Sequence, residues 1–405
     1  MRELSSLLDI FPIFALISLI GSLAVFGYLV YTESQAPTFS YVSSKFDNKR
    51  KPKVSIVVTA KNEEQMIKAC VESLIHQTYL NFEIVVVDDS STDSTPKIVS
   101  EIAARTENLR LIPAGEKPSG WVGKSWPCWR GFQEANGDYL LFVDADSLYE
   151  RTVVELCALY MEKNSIDMFS LSPRVVTRGI WAPAVLPLIT GAINLLYPMI
   201  KVNDRKSKRA YVFGTFFLIR REVYARTGGH SKVRDQLVED AAVAQLVKSA
   251  GYNLRVERGT ELLSTEWESD PKTIFDGLER ITSSSIKNFG TISILNAVLL
   301  FVLIIYPPIF VLAGIYSSEY SPIFLVGLTA SLVNIAVFLS LTAMEMREVS
   351  GKVRPAIFLY FLGALMFIIA IVTTSIKVAR KKKLYWKGQG YFQSAGKSLE
   401  NITEN

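Results

Sequence analysis

Three acidic clusters lie far apart in this chain: Asp88-Asp89, Asp144-Ala145-Asp146 and Glu239-Asp240. Asn62-Glu63-Glu64 forms a fourth group near the start. If Asp144 and Asp146 end an extended strand, their side chains point the same way and supply two hard oxygen ligands. Such a pair suits Mg²⁺ or Mn²⁺, which keep several waters and take one or two carboxylates plus substrate phosphate oxygens. The bland reading is turn and helix-cap chemistry. Asp89-Ser90-Ser91-Thr92-Asp93 is also a good turn and cap sequence, and Glu239-Asp240 also suits the start of a helix ending near Gly251.

The intervening residues indicate how these groups are positioned. Val54–Thr59 is a continuous β-branched run, as expected of a strand buried on both faces. Ile67, Cys70, Val71, Leu74 and Ile75 recur at helical spacing. Glu83–Val87 reads as a second strand, Thr95-Pro96 as a helix start, and Leu109–Ile112 as a third strand. Trp126–Phe132 reads as a helix and Tyr139–Val143 as a fourth strand. Strands alternating with helices predict an α/β fold, a mostly parallel sheet with helices on both faces. Ligands of such open sheets bind beyond the carboxyl ends of the strands. Asp88-Asp89 and Asp144-Ala145-Asp146 fall there, and neither pair is near an obvious helical salt-bridge partner.

Composition adds the membrane. The 405 residues are 49% hydrophobic and 20% charged, which rules out a disordered chain and argues against a fully soluble one. Cys70, Cys128 and Cys157 are an odd, scattered set that excludes a disulfide framework and a four-thiolate zinc site. Two histidines, His76 and His230, argue against an imidazole metal site. Residues 1–31 contain the uncharged run Ile10–Tyr31, long enough to span a bilayer, which takes roughly 20 helical residues. It lacks a small-residue cleavage signature and reads as a signal-anchor. Residues 292–376 contain three more apolar runs, Ile292–Tyr316 (interrupted at Pro307-Pro308), Pro322–Met344 and Ala356–Ile376.

The polar region 32–291 begins with Lys45, Lys49, Arg50, Lys51 and Lys53, which places it in the cytoplasm by the positive-inside rule. The basic tail 377–405, with Lys377, Arg380, Lys381, Lys382, Lys383 and Lys387, asks for the same side, yet three spans would leave it on the other. Inside the polar region, Ile180–Ile200 carries Pro183, Pro187 and Pro198, which disfavour a regular spanning helix. A single crossing there would put the carboxylate motifs in opposite compartments, so this segment is expected to lie in the membrane interface.

The order Thr59-Ala60-Lys61-Asn62-Glu63-Glu64, Val87-Asp88-Asp89-Ser90-Ser91-Thr92-Asp93, Asp144-Ala145-Asp146 and Glu239-Asp240 resembles the family 2 glycosyltransferases of GT-A fold. The likeness runs from about Lys53 to Asn288 and includes Gly120-Trp121-Val122-Gly123-Lys124 and Gly214…Arg220-Arg221…Gly228-Gly229. The segment with Trp121 and Lys124, with the flanking apolar helices, looks most like the hopanoid-associated and carotenoid-ester glycosyltransferases. Ceramide glucosyltransferases look more distant. The Gln-x-x-Arg-Trp of processive synthases does not occur here, which argues against polymer synthesis.

The resemblance implies an inverting, metal-dependent hexosyltransferase. Ala60, Asn62, Glu63 and either Asp88 or Asp89 would hold the base and ribose of a UDP- or GDP-linked sugar, since a carboxylate accepts bonds from an imide N–H or ribose hydroxyls. Asp144 would touch ribose or metal, and Asp146 would bind the Mg²⁺ or Mn²⁺ that offsets charge on the departing diphosphate. Asp240 is the candidate general base, with Glu239 as alternative base or acceptor-orienting residue. Lys124, Arg280 and Lys287 are candidate phosphate contacts; Arg280 stands where relatives carry Arg-Trp but is followed by Ile281. Surface cations on a solvated helix would equally explain Arg280 and Lys287. Trp121, Gly214 and His230 would lie near the acceptor. His76, Cys70 and Cys157 read as structural, and Trp126 and Trp129 as packing residues.

A soluble donor and a membrane anchor together imply a lipid acceptor. A nucleotidyltransferase would show a Gly-rich basic loop near the first strand, which Thr59–Glu64 does not provide. A transporter or scaffold with a degenerate domain would show decayed acidic motifs. Nucleic acid is not an expected partner, because the basic runs flank membrane spans and suit topology and anionic lipid.

Overall fold

Both faces of the first strand, β1 (Val54–Ala60), are covered, and all seven of its residues are buried in the computed structural model. The structure describes residues 10–40, 51–267, 269–315, 321–380, 382, 384–386 and 389–391, with 284–293 and the last two stretches in backbone only. Lys45, Lys49, Arg50, Lys381, Lys383 and Lys387 lie outside the described residues, as does the side chain of Lys287. The chain divides into two units, one of residues 35–176 and 197–267, the other of residues 1–34, 177–196 and 268–405.

The first unit is built on β1, β2 (Phe82–Asp88), β3 (Leu109–Pro113), β4 (Tyr139–Asp144), β5 (Ser147–Tyr149), β6 (Met168–Ser172), β7 (Arg174–Val176), β8 (Phe216–Arg220), β9 (Leu254–Arg258) and β10 (Leu263–Glu266). Seven form one sheet in the order β3-β2-β1-β4-β8-β6-β9, and β5-β10-β7 form a smaller one. The strands β1 to β4 run parallel, as the alternating pattern predicts. β8 runs antiparallel to both neighbours, which that pattern did not reveal.

Period-two alternation divides the core. Val54, Ile56 and Val58 pack with Ile67, Cys70 and Leu74 of the helix Ile67–Ile75. Val57 packs on the other face with Cys128 and Phe142. There the helix Ser125–Glu134 lies very near the sheet, because a Cβ on Gly131 would stand 2.2 Å from Val57 Cγ1. Strand β4 stops at Asp144, and Ala145-Asp146 form a turn. Asp144 and Asp146 therefore do not share one extended strand, which corrects the sequence expectation about how they are presented.

The second unit holds the helices Ile10–Ser34, Trp181–Leu196, Pro271–Leu300, Tyr306–Ile315, Pro322–Ser350 and Tyr360–Ala379, of which Pro271–Leu300 is charged over its first part and apolar from Ile294 on. Among the described residues, five stretches are long and apolar enough to cross a membrane: Ile10–Ser34, Trp181–Asn203, Ile294–Ile315, Pro322–Ser350 and Pro355–Ala379. A π-turn, Phe301–Ile305, precedes Pro307-Pro308. Proline lacks an N–H and its ring crowds the carbonyl four residues back, so a wider turn relieves the strain. The Ser18 hydroxyl donates to the Val302 carbonyl in that turn at 2.8 Å. Asn334 Nδ2 in turn donates to Ser18 and Ser22 at 2.8 and 2.9 Å. Where apolar helices meet, such bonds satisfy groups that lipid cannot.

The prolines of the 180–200 segment do not prevent a helix there. Trp181–Leu196 is continuous with Pro187 inside it, while Pro183 falls in the first turn, where a missing N–H costs little, and Pro198 lies past the end. Gly363 lets the helix Tyr360–Ala379 press against it: a Cβ there would meet the Ala184 carbonyl oxygen at 2.2 Å. Because β8 follows this helix and pairs with β4, which precedes it, the chain returns to the sheet it left.

Candidate active site

The carboxyl ends of β1, β2 and β4 stand side by side, with Ala60 opposite Asp88 and Thr59 opposite Asp144. Adjacent strands lie about 4.8 Å apart, so residues distant in sequence meet at one sheet edge. The loops after β1 and β2 are laced together. Ser91 Oγ accepts the Asn62 N–H at 2.9 Å, and Thr95 Oγ1 accepts the Glu63 N–H at 2.8 Å. Asn62 Oδ1 accepts the Thr92 N–H at 2.8 Å, holding Asn62 in the left-handed region (φ +54°). Asp93 accepts the Glu64 and Thr95 N–H groups, and these bonds outweigh slight burial to lower its pKa. Asp93 thus ties the start of the helix Thr95–Ala103 to the loop after β1, while the Asn62 side chain braces the rim.

Asp89 is buried at this rim and is paired. Lys117 Nζ lies 3.3 Å from its Oδ2 and also donates to the Gly123 carbonyl at 3.0 Å; Lys61 Nζ stands at 4.0 Å. The sequence offered no salt-bridge partner for Asp89, because Lys117 comes from a loop beyond β3. The one signal that could have found it is its setting among Gly115, Gly120 and Gly123, all at positive φ.

Asp144 is also paired, its Oδ1 in contact with Lys124 Nζ. Burial alone would lower the Lys124 pKa, but Asp144, Asp146 and Glu239 around it hold it well above the ordinary lysine range. Asp146 Oδ1 accepts from Ser147 Oγ at 3.3 Å and from Thr265 Oγ1 at 3.5 Å, so strand β10 reaches the site. The buried Cys128 thiol is pushed up by burial and then by Glu239, with Asp144 and Asp240 adding to it. Lys124 and Cys128 thus sense carboxylates from both halves of the unit.

Among the described residues no three His, Cys, Asp or Glu side chains converge to cage a metal. The donor set is two carboxylates separated by one turn residue. That fits a hard divalent ion completing its coordination with water and phosphate, and does not suit a self-sufficient zinc or calcium site.

Glu239 and Asp240 open the helix Glu239–Ser249, where the helix dipole favours negative charge. Asp240 Oδ1 accepts the Ala241 N–H at 2.7 Å. Gly214 faces this carboxylate with no side chain between them: a Cβ there would lie 2.8 Å from Asp240 Oδ2. Trp121 is half-buried and packs edge-on against Trp126, with ring centroids 5.1 Å apart. The loop that carries it is tied to the segment before Glu239 by the Val122 N–H donating to the Arg234 carbonyl at 2.7 Å.

His230 is not at the rim. It is fully buried, its Nδ1 lies 2.7 Å from Tyr224 Oη, and it packs against Phe142 and Phe217. Burial lowers its pKa to about 3. The expectation that it touches an acceptor is therefore corrected, since a neutral imidazole sealed in the core is out of reach. Arg280 lies on the helix Pro271–Leu300 of the other unit. Its neighbour Glu279 is buried in an ion pair with Lys377, 2.6 Å away. As read from sequence, Cys70 and Cys157 are buried and His76 caps a helix, with its Nδ1 2.6 Å from the Glu72 carbonyl. Trp126 donates to the Ala114 carbonyl at 3.0 Å and Trp129 stacks on Tyr224, both packing roles.

Comparison with known proteins agrees with this architecture. Residues 55–228 match the model of Glycosyl transferase family 2. The chain is 29% identical over 232 residues to the probable glycosyltransferase YdaM of Bacillus subtilis, covering 56% of this chain and 52% of the relative. It is 24% identical over 265 residues to the 4,4'-diaponeurosporenoate glycosyltransferase of Staphylococcus haemolyticus, covering 64% of this chain and 67% of the relative. The matched stretch thus spans between about half and two thirds of these relatives. Among solved structures, the mannosyltransferase PcManGT of Pyrobaculum calidifontis, in complex with GDP-Man and Mn²⁺, superposes with a TM-score of 0.51. It is 18% identical, and the alignment covers 91% of this chain and 98% of that one, a likeness of GT-A fold.

Proposed function

Residues 55–228 form a family 2 glycosyltransferase domain, and from that premise we propose that this chain transfers a sugar from a nucleoside-diphosphate sugar to a membrane lipid on the cytoplasmic face, with inversion at the anomeric carbon. The carrying observation is the gathering of Asp144, Asp146 and Lys124 beside Glu239 at one end of one sheet. A fold neighbour binds GDP-Man and Mn²⁺, and a relative acts on 4,4'-diaponeurosporenoate. Both support this reading.

In this proposal the base and ribose sit against the laced rim of Ala60, Asn62, Glu63, Asp88 and Asp89. Asp144 and Asp146 hold a Mg²⁺ or Mn²⁺ ion, which when bound offsets charge on the departing diphosphate. Lys124 adds a positive charge beside the diphosphate. Asp240 removes the proton from the attacking acceptor hydroxyl as the new C–O bond forms, a contribution of about 100- to 10,000-fold. Glu239 orients the acceptor, and Trp121 offers it an apolar wall. Attack opposite the leaving diphosphate converts an α-linked donor into a β-glycoside. The apolar helices keep a lipid acceptor within the same protein that binds the soluble donor.

Membranes containing the protein, incubated with radiolabelled UDP- and GDP-sugars, should yield labelled lipid on extraction. Transfer to soluble acceptors alone, with lipid extracts ignored, would overturn the lipid assignment.

A further inference from the structure

Lys124 Nζ and a divalent ion seek the same oxygen. The lysine stands at the start of the helix Ser125–Glu134, on a loop that turns through Gly120 and Gly123 at positive φ. That loop is held from two sides, by Lys117 Nζ at the Gly123 carbonyl and by the Val122 N–H at the Arg234 carbonyl. The ammonium is thereby delivered to Asp144 Oδ1, with Asp146 and Glu239 also in its field. A cation seated on one of two metal-ligating carboxylates repels a second cation and removes a ligand from it.

Resting on the glycosyl-donor reading above, we propose that Lys124 and the divalent ion compete for Asp144, so that metal binds tightly only together with a nucleoside diphosphate. A diphosphate supplies new anionic oxygens to which the ammonium can move, and Asp144 then becomes available to the metal. Lys124 is a positioning residue in this exchange. The net charge at the site is little changed by the exchange, because the two charges a divalent ion brings offset those of a sugar-linked diphosphate, while the ammonium and the carboxylates stay. The exchange ties metal uptake to donor uptake.

The test is Mn²⁺ binding to the detergent-solubilised full chain, followed by electron paramagnetic resonance, alone and with UDP or GDP. Wild-type protein should bind Mn²⁺ at least about ten-fold more tightly with one of the nucleotides, a coupling of ordinary size. Lys124→Met and Lys124→Gln should bind Mn²⁺ alone about ten-fold more tightly than wild type, with a smaller further gain from nucleotide. Lys124→Arg should behave as wild type, and tryptophan fluorescence of each variant reports that the fold is kept. If Lys124→Met and Lys124→Gln bind Mn²⁺ alone as weakly as wild type, while nucleotide still promotes binding in all, the exchange is wrong and the donor reading stands. If neither nucleotide promotes Mn²⁺ binding in any form, both fail together.

Discussion

The Cα of Gly214 lies so near the helix Glu239–Ser249 that a Cβ on it would stand 2.8 Å from Asp240 Oδ2. The absent side chain sets where this carboxylate rests. Gly214→Ala should move Asp240 by several tenths of an ångström and reduce turnover about ten-fold or more, since small misplacements of reacting groups are costly. Nucleotide-sugar affinity should change little. Steady-state kinetics and equilibrium binding on the same preparation check the split, and equal losses in both would place Gly214 in the donor site instead.

Asp240 and Glu239 are adjacent but have different expected roles. Asp240→Asn removes the proton acceptor and should lower kcat by about 100- to 10,000-fold with donor binding retained. Glu239→Gln should act mainly on the KM for the acceptor. The reversed pattern would make Glu239 the base.

Chelation should abolish transfer, and Mn²⁺ or Mg²⁺ should restore it, because Asp144 and Asp146 alone do not make a closed metal cage. Asp146→Ala should lose at least about 100-fold in activity and should not be rescued by excess ion. Product formation unaffected by EDTA would contradict the assignment of this pair.

His230 gives a pH signature unrelated to catalysis. In the folded protein burial lowers its pKa to about 3, against an ordinary value of 6.5. Between those values the unfolded chain holds a proton that the folded chain does not. Stability is therefore fully present above about pH 6.5 and falls as pH drops toward 3, by at most about 1.4 kcal/mol per pH unit. Unfolding followed by tryptophan fluorescence between pH 7 and 4.5 should show a shallower acid limb for His230→Phe than for wild type. Identical limbs would argue against a buried neutral imidazole.

Gly131 carries a packing prediction. Its missing Cβ would stand 2.2 Å from Val57 Cγ1, so Gly131→Ala must lift the helix Ser125–Glu134 off β1 or displace Val57. Overpacking of this kind costs about 1–3 kcal/mol. The unfolding midpoint should fall, and with it activity, because Lys124 stands at the start of this helix.

By itself the sequence determined the parallel half of the sheet, the long apolar helices, and which acidic residues end the strands. Those features are local: β-branched runs, helical spacing and turn residues act over a few positions, and the order of motifs does the rest. What packed against what was decided only in three dimensions. The partners of Asp89 and Asp144 are Lys117 and Lys124, 28 and 20 residues away, and no periodicity encodes such distances. The antiparallel β8, the arrival of Thr265 beside Asp146, and the withdrawal of His230 into the core each depend on how distant segments close over one another. A glycine-glycine-histidine run reads the same whether its imidazole faces a ligand or Tyr224. The three prolines near residue 190 likewise looked disruptive until neighbouring helices supplied the packing that offsets them.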